Sequence, residues 1–155
     1  MAFETVQIVP QGALTDVYTD LTKYRLGQRV RDEKGKEYIF LKGASSTAAG
    51  VWATYDENYA TTLLAANAVG PVGIAMAAID ANTKYGFYQI YGVNASASTD
   101  TVAADKALYI DGTAGRADDA VVTGDLIVGA SSATADTSNV ATVMLAYPFV
   151  TDVLG

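Results

Sequence analysis

Cysteine and histidine are both absent from the 155 residues. Their absence excludes disulfides, thiol nucleophiles, the usual zinc and haem ligand sets and every triad that relies on imidazole. Charge is also scarce, at 17% of residues, and what there is sums to −7. An acidic chain is a poor nonspecific nucleic-acid binder, because neutralising phosphates needs clustered Lys and Arg. No apolar run reaches the ~18 residues of a membrane-spanning helix. The opening "MAFETVQIVPQG" carries Glu4 and has no basic-then-apolar leader, so the expectation is a soluble chain without a cleaved secretion signal. No cofactor, metal, direct nucleic-acid partner or membrane partner is expected, and no enzymatic activity, since no acid and base stand at a workable spacing.

What is abundant is Ala, Val, Thr, Gly and Tyr, with half the residues hydrophobic. Val, Thr and aromatic residues favour strands, and Gly and Ala let backbones approach closely. The length suits one domain with its own core. The charge is also uneven. Residues 1–42 hold seven of the ten basic residues against six acids, net +1, and residues 43–155 hold three against eleven, net −8. A chain of this kind can pair head to tail with its own copies, set a basic edge on an acidic partner, or simply keep an acidic surface in water.

Along the chain, "FETVQIVP" alternates and stops at Pro10, as an edge strand or arm would. "GALTDVYTDLTKYRLGQ" has no period and reads as a long connection. In "QRVRDEKGKEYIFLKG" the cluster Asp32–Gly35 turns one strand into another, and Tyr38 and Phe40 share one face while Ile39 and Leu41 share the other. From Asp56 to Gly70 two readings stand: Asp56 caps a helix over "ENYATTLLAANA", or "TTLLAAN" is a strand, as Thr61 and Thr62 favour. "VGIAMAAI", the turn "DANTK" and "YGFYQIYGV" form a second hairpin. There Tyr85, Phe87, Gln89, Tyr91 and Val93 oppose Gly86, Tyr88, Ile90 and Gly92, and bulky residues can nest on small ones across the pair. "KALYIDG", "GDLIVGA" and "VATVMLAYPFV" complete the set, the last with both faces largely apolar. The reading is an all-β fold, a small single-domain β-barrel or sandwich of short antiparallel strands, with an irregular N-terminal arm and connection over residues 1–26 and the β-rich domain over 27–155.

Few groups suggest chemistry. Asp118, Asp119 and Asp125 place three carboxylates within eight positions, at neither glycosidase nor calcium-loop spacing, and read as a solvated turn or a weak cation site. Asn94-Ala95-Ser96 fits the glycosylation pattern but has no secretion signal to act with. Tyr85, Tyr88 and Tyr91 can stack on a sugar, pack in a core or anchor a protein interface. By hydrophobicity in an otherwise irregular segment, Phe3, Val6, Ile8, Tyr18 and Tyr24 are the candidate contacts with a partner or another subunit.

Four stretches, "DEKGKEYIFLKGASSTAAGVWATYD", "VGPVGIAMAAIDANTKYGFYQIYGVNASA", "KALYIDGTAGRADDAVVTGDLIVGASS" and "VATVMLAYPF", together resemble the head decoration or capsid cement proteins of tailed bacteriophages over residues 27–150. The resemblance implies a virion protein made in the host cytoplasm that coats the outer surface of the capsid, binds the major capsid protein as a homo-oligomer, most often a trimer, and secures the shell. Weak patches on joined copies add when their spacing matches the lattice. Strand addition through residues 1–10 is the expected means of attachment. The alternatives are another phage component of tail or neck, or a carbohydrate-binding module on the virion surface.

Overall fold

A computed structural model describes residues 7–152. The fold is nearly all β, as the composition implies: one mixed sheet of eleven strands and a single short helical turn. Among the described residues no helix is long and apolar enough to cross a membrane. The sheet does not close on itself, so it is no barrel, and its arrangement is compatible with a small β-sandwich.

The strands are β1 (Gln7–Ile8), β2 (Arg29–Arg31), β3 (Glu37–Lys42), β4 (Trp52–Tyr55), β5 (Thr61–Leu63), β6 (Gly70–Ala75), β7 (Tyr85–Ser98), β8 (Ala107–Ile110), β9 (Ala117–Asp118), β10 (Leu126–Ser132) and β11 (Val140–Val150), and α1 (Gln11–Leu14) is the helical turn. They run across the sheet as β1-β2-β3-β7-β6-β11-β10-β8-β9, with β4 and β5 appended to β6. Every pairing is antiparallel except β1 on β2. The basic β2 and β9, which carries Asp118, thus lie toward opposite ends of the strand order.

Both hairpins read from the sequence are present. Asp32 accepts the backbone N–H groups of Lys34 and Lys36 and, at 3.2 Å, the Tyr38 hydroxyl, and Gly35 takes φ +83°, so the turn between β2 and β3 is fixed by its own residues. The β6–β7 hairpin pairs Ile74 with Gln89 and Ala75 with Tyr88. Between Asp56 and Gly70 the chain is strand, not helix. The Asp56 carboxylate caps a turn by accepting the N–H groups of Asn58 and Ala60, and Thr61–Leu63 then pairs with β4.

Strand β7 is central, pairing first with β3 and β6 and later with β11. Its change of partner is built locally. Gln89, 2% exposed, donates to the Tyr91 and Val93 carbonyls at 3.1 and 3.0 Å and accepts the Asn94 amide at 2.9 Å, while Gly92 turns through φ +97°. Buried amides left without partners would cost about 1–3 kcal/mol each, so this network holds the bend. Asn94 is buried in it, which removes its glycosylation pattern from the surface.

Three apolar clusters fill the molecule. Tyr38, Phe40 and Phe87 pack with Val9, Leu14, Tyr24 and Val30 on one side of β3 and β7. Ile39, Leu41, Tyr88 and Ile90 pack with Ala53, Ala75 and Ile79 on the other. The largest cluster gathers Trp52, Val72, Ile74, Leu108, Ile127, Val143 and Leu145 across β4, β6, β8, β10 and β11. The first of these shows that the connection ahead of β2 is irregular but integral: Val9, Leu14 and Tyr24 are each at most 8% exposed and cover the β3–β7 face.

Candidate protein-binding surface

The aromatic run 85–91 divides by position. Tyr88 is fully buried, Tyr85 is half-buried against Phe40 with ring centroids 6.3 Å apart, and Tyr91 is 42% exposed. Trp52 is also buried, its indole N–H donating to the Ser98 carbonyl at 2.9 Å. Of the three tyrosines offered as sugar platforms, Tyr91 is the most exposed.

Beside Tyr91 runs β11, which turns Ala141, Val143 and Leu145 inward and Val140 and Met144 outward. The register then shifts. Leu145 pairs with Ala130 but Phe149 pairs with Val128, so β11 gains two residues over β10 between these points. Tyr147 absorbs the bulge at φ +51°, a region costly for a bulky side chain, and Gly129 opposite takes φ +80° where a Cβ would stand 2.6 Å from the Ala146 carbonyl oxygen. The bulge places Ala146 and Tyr147 consecutively on the outside and returns Pro148 and Val150 to the inside, leaving Phe149 outward. With Tyr91 opposite Ala146 and Val93 opposite Met144, the outer face of β7 and β11 becomes an apolar strip on which Tyr91, Val93, Met144, Tyr147 and Phe149 are each 37–47% exposed. A groove of about 450 Å³ runs along it between Tyr91, Gly92, Gly129, Ala130, Met144 and Ala146.

The strip has a polar, cationic corner. The Tyr147 hydroxyl donates to one oxygen of Glu37, and Arg31 donates to the other at 2.6 Å. Tyr147 also lies 5.2 Å from the Tyr91 ring and 5.9 Å from the Arg29 guanidinium. Burial pushes the Glu37 carboxyl up, but the hydrogen bonds from Tyr147 and Arg31 and the charges of Arg31 and Arg29 outweigh it and leave the group below its ordinary value. The same hydrogen bond, helped by burial, raises the Tyr147 phenol. Glu37 is therefore an ionised anchor rather than a free base. Arg29 has no carboxylate within ion-pair distance among the described residues. Lys36 lays its stem on Gly92 at the groove floor, where its Cγ would stand 2.8 Å from an added Cβ. Aromatic rings, Met and Arg around a shallow apolar groove form a surface suited to another protein.

The N-terminal candidates are distributed otherwise. Phe3 and Val6 lie outside the described residues. Ile8 is 65% exposed on the edge strand β1. Tyr18 is partly buried: it exchanges backbone hydrogen bonds with Tyr85, donates its hydroxyl to the Ala13 carbonyl at 2.7 Å, and burial together with Tyr24 and Asp16 pushes that hydroxyl up to about 12. Tyr24 is a core residue, edge-on to Phe87 with centroids 4.9 Å apart, and is not available to a partner in this fold. Tyr147, Met144 and Phe149 were not among the sequence candidates. The only local signal for them is Pro148, which a regular central strand does not accept and a bulge does.

The carboxylates near residue 120 are occupied individually. Asp125, 4% exposed, accepts the Asn67 N–H at 2.9 Å; Asp119 accepts that of Ala103 at 2.9 Å; Asp118 accepts that of Ala120 at 3.1 Å. Asp125 ties down a loop from a buried position, whereas Asp118 and Asp119 are half-buried with their bonds at the surface, and among the described residues no three acids gather to hold a metal ion. Burial, with Asp111 and Asp119 close by, raises the Asp118 carboxyl to about 6.

No family model, no curated protein and no solved structure matches this chain.

Proposed function

We propose that this chain is a non-enzymatic virion structural protein that binds the outer surface of a tailed-phage capsid and stabilises the assembled head. The observation that carries the reading is the outer strip of β7 and β11, because contiguous exposed apolar surface with aromatic and Arg anchors is characteristic of protein contacts. The phage-like stretches of the sequence support it: they fall on the β3–β4, β6–β7, β8–β10 and β11 segments that build and carry this strip. The major capsid protein is the partner. Attachment runs through the open sheet edge, where Ile8 on β1 offers an exposed side chain on an edge strand able to pair with another chain.

The test is to incubate the purified chain with capsids that lack it, pellet the capsids and measure saturation and melting. Saturable co-sedimentation with a raised capsid melting temperature is expected; a chain that stays in the supernatant overturns the reading. Deleting residues 1–8, which removes β1, sharpens it. The cut stops short of Val9, which is 2% exposed and part of the core, so the truncated chain should fold and fail to coat. Undiminished occupancy would remove the N-terminal edge from the attachment.

A further inference from the structure

The outer strip has its complement on the same molecule. The connection from β9 to β10 ends in a tip formed by Val121 and Val122, 72% and 45% exposed. The tip is held from below. The Asp125 N–H donates to the Val122 carbonyl, the Asp125 carboxylate holds Asn67, and Gly124, at φ +90°, lies where a Cβ would stand 2.9 Å from the Asp152 carbonyl oxygen. Two β-branched apolar side chains are thus kept in water on a braced loop, with Asp118 and Asp119 beside them. The strip is the converse: an apolar groove with Lys36 packed on Gly92 at its floor and, at the neighbouring Tyr147 corner, Arg29 and the Arg31–Glu37 pair.

We infer that the occupant of the strip is a second copy of this chain, which seats its Val121–Val122 tip in the groove between Tyr91 and Met144 and brings Asp118 and Asp119 to Arg29 and Lys36. Charge complementarity selects this partner, since both halves of the match are on one molecule: acids beside an apolar tip on the β9–β10 connection, and cations beside an apolar groove on β7, β10 and β11. The two surfaces differ, so the contact is head to tail, and each copy uses its tip on one neighbour and its groove on another. The inference rests on reading the strip as a protein-binding surface, and it leaves the β1 edge free for the shell.

The experiment is mass by light scattering, without capsids, on the wild type, on a tip variant (Val121→Asp with Val122→Asp) and on a groove variant (Met144→Asp). All three altered side chains are exposed, and an unchanged circular dichroism spectrum shows that each variant folds. The wild type should assemble and lose its assembly in high salt, as screening weakens the charge pairs. Each variant alone should be monomeric. Their equimolar mixture should give a dimer and nothing larger, because one intact tip and one intact groove remain. A monomeric wild type, a variant that assembles as the wild type does, or a mixture that stays monomeric overturns the inference. Capsid pelleting separates the two proposals: a monomeric wild type that still coats capsids overturns only this one, and an assembled wild type that ignores capsids overturns only the other.

Discussion

Residues 85–90 of β7 and residues 140–150 of β11 both carry apolar side chains on both faces, yet Phe87, Tyr88 and Ile90 are at most 1% exposed whereas Val140, Met144, Tyr147 and Phe149 are 41–47% exposed. The difference is made by what lies over each strand. One face of β7 is covered by Val9, Leu14 and Tyr24 and the other by Ala53, Ala75 and Ile79. The inner face of β11 joins the largest cluster, and among the described residues no layer covers its outer face. Two strings of similar hydrophobicity thus serve opposite ends, one as packing and one as surface. The aromatic run that most invites a ligand is the packed one.

The largest effect expected from breaking this comparison is in the buried strand. Phe87→Ala should destabilise the chain by about 3–5 kcal/mol, the range for removing a buried aromatic, while Met144→Ala should change stability by less than about 0.5 kcal/mol. Urea denaturation at low protein concentration measures both. A cost at Met144 near that at Phe87 would mean the outer face is covered within the monomer. Overpacking the same strand comes next. Gly86 nests against Ile79, whose Cγ1 would stand 2.8 Å from an added Cβ. Gly86→Ala should therefore cost about 1–3 kcal/mol, and a neutral result would show that Ile79 has room to move.

A smaller effect is expected at the corner of the strip. Tyr147→Phe removes the hydroxyl that Glu37 accepts while keeping the ring on Tyr91, and should cost about 1 kcal/mol. The carboxylate keeps Arg31 as its partner, so the loss stays modest. Glu37→Gln should cost more than Tyr147→Phe, because it weakens both contacts and leaves Arg31 without its counter-charge. Denaturation midpoints of the two variants and of their double variant measure the coupling; strict additivity would separate Glu37 from Tyr147 energetically.

How much of this was legible in the sequence depends on how local its causes are. The turn Asp32–Gly35 is specified by its own residues, and so it was read correctly along with the two faces of β3. The nesting of Gly73 on Tyr88 follows from alternation alone, and an added Cβ there would stand 2.9 Å from the Tyr88 Cβ. The outer strip was not legible, because a bulge shifts the alternation at Tyr147 and that residue's hydroxyl is held by Glu37, 110 positions away. Tyr24 was read as a contact residue for a related reason. A segment without period gives no sign of which side chains fold back onto a distant sheet, and Tyr24 finds Phe40 and Phe87 only in three dimensions. Asp56 shows the opposite ambiguity, since one carboxylate accepting nearby N–H groups begins a turn as readily as a helix.

The smallest expected effect concerns pH and again contrasts the two ends of the sheet. At the acidic end, Asp118 is raised from its ordinary 3.8 to about 6 by burial and by the neighbouring Asp111 and Asp119. Between those values the folded chain holds a proton that the unfolded chain releases, so this group's contribution to stability is present below the ordinary carboxylate range and is lost as pH rises to about 6. At the basic end, Glu37 is held below its ordinary value, and its contribution runs the other way, being present near neutrality and lost as pH falls through its lowered range. Asp118→Asn should therefore flatten the decline in stability between about pH 4 and pH 6 without altering the acid limb, and Glu37→Gln should do the reverse. Melting temperature against pH for both variants measures this. A wild type whose stability rises steadily from pH 4 to pH 6, with Asp118→Asn following the same curve, would show that Asp118 ionises in the fold as it does in the unfolded chain.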